Sequence, residues 1–74
     1  MLMMVKQEEL VRMRKEKALT QHKLSRLAGL GNNAIFRMET GLHRVTKLRA
    51  KAVADILGCD VTDLFYPFEN RKAI

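Results

Sequence analysis

Between residues 20 and 51 the chain carries Lys23, Arg26, Arg37, Arg44, Lys47, Arg49 and Lys51 against Glu39 alone, and this segment accounts for the whole net charge of +6. Cations gathered in this way suit a polyanion. Inside the segment, a spacing of 100° per residue puts Ala34, Ile35 and Met38 on one side of a short helix, with Glu39 at the edge. Asn32, Asn33, Phe36, Arg37 and Thr40 share the other side. One face is therefore built for a core, and the opposite one offers amide and guanidinium donors. Little else could do chemistry. Cys59 is the single cysteine, and His22 and His43 lie far from it and from each other. Neither an internal disulfide nor a tetrahedral metal site is expected, and Cys59 reads as a packing residue. No nucleophile stands beside a base and no glycine-rich phosphate loop occurs, so the chain reads as a non-enzyme without metal or cofactor.

The elements that must position these residues are helical. With 74 residues, 47% apolar and 30% charged, the chain is long enough for one folded domain, 1–74, close to the size at which a lone core is marginal. Leu, Ala, Lys, Arg, Met and Glu dominate, and the expected fold is all-α, a compact bundle of five helices. The first runs from about Gln7 to Lys17, with Glu8 and Glu9 at its start and Arg14, Lys15 and Lys17 at its end, as the helix dipole prefers. Leu10 and Met13 face inward. Thr20 caps the second, whose Leu24, Leu27 and Ala28 form one apolar stripe, and Gly29 ends it by a left-handed turn that drops Leu30 into the core. The third covers about 31–40. After a basic loop, Leu42 to Val45, Thr46 caps a fourth helix with a core stripe of Ala50, Val53, Ala54 and Leu57, closed by Gly58. Asp60 caps a short fifth, and Val61, Leu64 and Phe65 supply the last apolar contacts. Met1 to Met4 read as a frayed end or packing arm, the apolar opening Met1 to Val5 is too short for a signal core or a membrane span, and the tail after Pro67 reads as irregular. A cytoplasmic protein without a membrane partner is expected.

Helix, glycine turn and helix with so short a connection make a helix-turn-helix. Over residues 10–65 the chain resembles the Cro and lambda-type repressor family of helix-turn-helix DNA-binding regulators. The matching segments are Leu10-Val11-Arg12-Met13-Arg14, then Leu19-Thr20-Gln21 with Leu24, and Ala28-Gly29-Leu30. Ile35 with Met38-Glu39-Thr40-Gly41 follows, and Val53 to Gly58 with Leu64-Phe65 completes the set. The resemblance implies that Asn32, Asn33 and Arg37 project into the major groove, where Asn can pair with adenine and Arg with guanine. It implies backbone phosphate contacts for Gln21, Thr40, Arg44 and Lys47. It also makes Arg14 and Glu39 a structural ion pair joining the first helix to the third.

Several residues depart from the family pattern. Gly31 stands where relatives have Ser or Thr, so it brings no hydroxyl to a phosphate, and Phe36 occupies a usually polar site. Phe36 is either covered by another protein or touches thymine methyl groups. Gly31, Phe36 and His43 are further candidates for DNA contact, and His22 reads as a surface residue. The expected function is a small Cro-like or controller-type repressor that binds a palindromic double-stranded operator as a homodimer. Residues 1–5 and 67–74 would be flexible or dimer-contacting, and the interface would lie around Val61 to Phe68 or at Leu48. The alternative is a regulatory antitoxin or accessory subunit, which would hold a protein partner through its tail or its apolar start.

Overall fold

The computed structural model of the protein describes residues 2–41 and 44–67. Among the described residues five helices form in the expected order: α1 (Gln7–Glu16), α2 (Gln21–Leu27), α3 (Ala34–Thr40), α4 (Lys47–Leu57) and α5 (Val61–Leu64). Their starts follow local chemistry. The Thr20 hydroxyl accepts the Lys23 N–H at 3.0 Å and the Thr46 hydroxyl accepts the Arg49 N–H at 3.2 Å, each satisfying a donor that the first helical turn leaves without a partner. At α5 the Asp63 carboxylate accepts the Asp60 N–H at 3.0 Å. Gly29 (φ 74°) and Gly58 (φ 71°) take the left-handed conformation that ends α2 and α4.

The fold is not purely helical. Leu2–Val5 is a strand, β1, and it is the middle strand of a three-stranded antiparallel sheet. On one side it pairs with β2 (Arg44–Thr46), Leu2 opposite Thr46 and Met4 opposite Arg44. On the other it pairs with β3 (Phe65–Pro67), Met4 opposite Tyr66 and Val5 opposite Phe65. The expected frayed arm is thus the centre of a sheet, flanked by Arg44–Thr46 from the expected basic stretch and by Phe65–Pro67 directly after α5, while the tail after Pro67 lies outside the described residues. Pro67 stands on an edge strand, where a missing N–H is tolerated.

Side chains alternate across this sheet as strand geometry requires. Met3, Val5, Val45 and Phe65 point inward and join Leu10, Leu24, Ile35, Met38, Leu57 and Leu64 in one core, while Leu2, Met4 and Tyr66 stay exposed. The α2 stripe differs from expectation. Leu27 is 47% exposed, and the residues that α2 buries are Leu24 and Ser25, with Ala28 half-buried behind them. Leu30 packs against the core, as the glycine turn allows.

Candidate nucleic-acid interface

Helix α3 is aimed by polar bonds converging on its inner edge. The Glu39 side chain, 3% exposed, accepts from Arg14 Nε at 2.6 Å and Nη2 at 3.1 Å, and the Arg14 side chain is itself only 10% exposed. The third guanidinium nitrogen, Nη1, donates to the Leu19 carbonyl at 2.8 Å. Gln21 Nε2 donates to the same carboxylate at 2.7 Å. One buried carboxylate therefore fixes α1, α2 and α3 together through three donors on its two oxygens, and Arg14 extends the tie to the α1–α2 connection. A second brace is Ser25, fully buried, whose hydroxyl donates to the Gln21 carbonyl at 2.9 Å and accepts the Ile35 N–H at 3.0 Å. It supplies a partner to an otherwise orphaned amide in the first turn of α3. At the other end of α3, Gln7 Nε2 donates to the Met38 carbonyl at 3.0 Å.

The outer face is treated in the opposite way. Phe36 (50% exposed), Arg37 and Thr40 stand in solvent on α3, and Gly31, Asn32 and Asn33 are exposed in the turn before it. The helix begins at Ala34 with Asn33 as its N-cap, not at 31 or 32 as expected, because Gly29, Leu30 and the two Asn complete the turn first. Asn32 and Asn33 consequently sit at the tip of the turn, ahead of the helix rather than along it. Arg37 has no carboxylate partner among the described residues.

The residues expected to touch phosphates fall in three places. Gln21 opens α2 and is held by Glu39, yet its amide has a second proton that this bond leaves over. The Thr40 hydroxyl donates to the Phe36 carbonyl at 2.7 Å, so a phosphate contact requires it to turn. Arg44 lies exposed on β2, and Lys47 is exposed in the first position of α4. His43 lies outside the described residues. Reasoning from sequence assigned no role to Arg49, which borders a groove with Arg37; the signal available was its place among the cations of residues 20–51. That reasoning also passed over Ser25, although it lies three residues from Ala28 and so shares the inner face of α2.

The two longer helices begin with opposite charge. Glu8 and Glu9 stand in the first turn of α1, where a carboxylate is favoured, whereas the first turn of α4 has no acid and carries Lys47 and Arg49. The Cys59 thiol is half-buried, and burial, followed by the nearby Asp63 and Asp60, raises its pKa above the ordinary value, so it is not an activated nucleophile. The described residues contain no group of His, Cys, Asp and Glu that could hold a metal, and no helix long and apolar enough to cross a membrane.

A buried carboxylate clamp behind a short helix, with that helix's polar face left open, is the arrangement of a helix-turn-helix. The helix-turn-helix family model, of the lambda-repressor and Cro type, matches residues 10–64, and the chain belongs to that family. It is the kind of domain that DNA-binding regulators of transcription carry. A comparison with curated proteins finds no match.

Proposed function

We propose that this protein is a sequence-specific regulator of transcription, a small Cro-like or controller-type repressor that inserts α3 and the turn before it into the major groove of double-stranded DNA. The observation that carries this reading is the outer side of the α2–α3 unit, where Asn33 at the N-cap and Arg37 on α3 remain exposed while the inner edge of α3 is clamped by Arg14, Gln21 and Ser25. Rigid support behind free donors is what base recognition needs. Asn32, Asn33 and Arg37 read base edges in this proposal. Gln21, Thr40, Arg44 and Lys47 hold phosphates, and Phe36 contacts thymine methyl groups. One short helix reaches few base pairs, so two copies bind a palindrome with half-sites about one turn, roughly 10 base pairs, apart. Leu48, 81% exposed at the start of α4, supports packing of a second copy on that side.

The test is selection of bound sites from random duplexes, followed by binding of variants to the preferred site and to random DNA across a salt series. Arg37→Ala should weaken the preferred site by about 1–3 kcal/mol and relax the choice at one base pair. Lys47→Gln should weaken both duplexes by similar factors and lower the slope of log affinity against log salt by about one. Equal losses on both duplexes for Arg37→Ala would remove α3 from base reading through that residue. A footprint over one half-site with monomer stoichiometry would remove the dimer.

A further inference from the structure

Beside the outer face of α3 lies a groove of about 360 Å³, lined by Gly29, Leu30, Gly31, Ala34 and Met38 and flanked by Arg37 from α3 and Arg49 from α4. No carboxylate lines it. Neither guanidinium has a carboxylate partner among the described residues, so two like charges from separate helices border one depression of mixed polar and apolar surface. Like charges repel, and an anion bound between the two guanidinium groups attracts both and offsets that repulsion. The glycine turn leaves room for such an anion, since a Cβ added at Gly29 or Gly31 would meet nothing within 4 Å. The backbone N–H of Arg49 is already taken by the Thr46 hydroxyl, which leaves the guanidinium as the donor this residue can offer.

We propose that this groove receives one phosphodiester of the bound DNA strand and that Arg49 is its anchoring side chain, a backbone contact additional to those at Lys47 and Arg44. The proposal rests on the DNA-binding reading above. A guanidinium fork matches two phosphate oxygens, which gives direction as well as charge. Because Arg37 borders both the groove and the outer face of α3, a phosphate fixed by Arg49 sets the register in which Arg37 meets its base pair. The groove is open to solvent, so a free anion held only by two exposed arginines gains little, whereas a phosphate on a duplex is presented by all the other contacts.

The experiment uses the full chain and the duplex it selects, with phosphate-ethylation interference and salt-dependent binding as readouts. Arg49→Gln should weaken selected and random duplexes by similar factors and lower the salt slope by about one. It should also lose one ethylation-sensitive phosphate per half-site while the remaining ones persist, with an unchanged Tm. Arg49→Lys should keep the slope with a smaller loss of affinity, and Lys15→Gln, which removes a charge from α1 outside the groove, should leave the slope intact. Retention of the slope and of every sensitive phosphate in Arg49→Gln overturns the proposal, and so does an equal loss of slope in Lys15→Gln. Competition by millimolar inorganic phosphate that disappears in Arg49→Gln would make the groove a free-anion site and overturn the duplex assignment. A wild-type chain that binds no duplex overturns the DNA-binding reading itself, and this proposal with it.

Discussion

Around Glu39 the chain is tied by directional bonds between side chains, whereas around β1 it is tied by a backbone ladder and the apolar side chains beneath it. On the first side a single carboxylate sets the mutual angles of α1, α2 and α3; on the second, Met3 and Val5 fill whatever shape the core leaves them. The difference follows from what each region must do. Angles matter where a helix has to enter a groove, and area is sufficient where the sheet has only to close the domain.

The sharpest way to break the polar side is Glu39→Met, which leaves the Arg14 guanidinium buried without its counter-charge. The expected loss is about 3–5 kcal/mol in urea unfolding, with Arg14→Met similar and the double variant costing less than the sum of the two. Additive losses would show that the pair is not coupled. On the sheet side Met3→Ala should cost about 2–3 kcal/mol through the cavity it leaves, while Met4→Ser on the outer face should change stability by less than about 0.5 kcal/mol. Equal effects at 3 and 4 would contradict the strand register. Returning to the polar side, Ser25→Ala strands the Ile35 amide and the expected loss is about 1–2 kcal/mol. The same variant should weaken DNA binding beyond what its unfolded fraction explains, since it loosens the joint between α2 and α3.

One further change is a small gain, in the connection that follows α1. Ala18 follows α1 with φ 58°, a left-handed conformation that suits glycine better than alanine. Ala18→Gly should raise stability by about 0.5–1 kcal/mol, the relief of strain being partly offset by the freer unfolded chain. A Tm that falls instead would show that the alanine methyl contributes more through packing than its backbone loses.

Much of the helical part was legible because its signals repeat or punctuate. The 3.6-residue period marks α1 and α4, Thr20 and Thr46 announce starts, and Gly29 and Gly58 announce stops. The sheet left no such trace. Leu2, Met3, Met4 and Val5 are all apolar, so the alternation between inner and outer faces is invisible in residue type even though burial alternates along the strand. Arg44–Thr46 offers one buried residue, and Phe65–Pro67 ends in a residue that reads as a terminator. Leu27 misled for a related reason. In a helix of two turns, the i, i+3 spacing admits a leucine that the neighbouring elements do not cover. Of the candidate interface, the charges and the two-faced character of α3 were readable, whereas the groove shared by Arg37 and Arg49 is a property of how α3 and α4 sit together and has no local signature.

The central position of β1 has a consequence for how the protein acquires its structure. Its two partners, Arg44–Thr46 and Phe65–Pro67, lie far along the chain, whereas α1, α2 and α3 are near neighbours in sequence. Long-range pairing must overcome loop-closure entropy before any ladder bond forms, so the helical trio assembles early and the sheet late. During synthesis residues 2–5 leave the ribosome well before residues 65–67 exist to pair with them. For that interval an apolar Leu-Met-Met-Val segment with unsatisfied edges on both sides is open to misassociation. The nascent chain is therefore most in need of shielding at this segment until residues 65–67 have emerged.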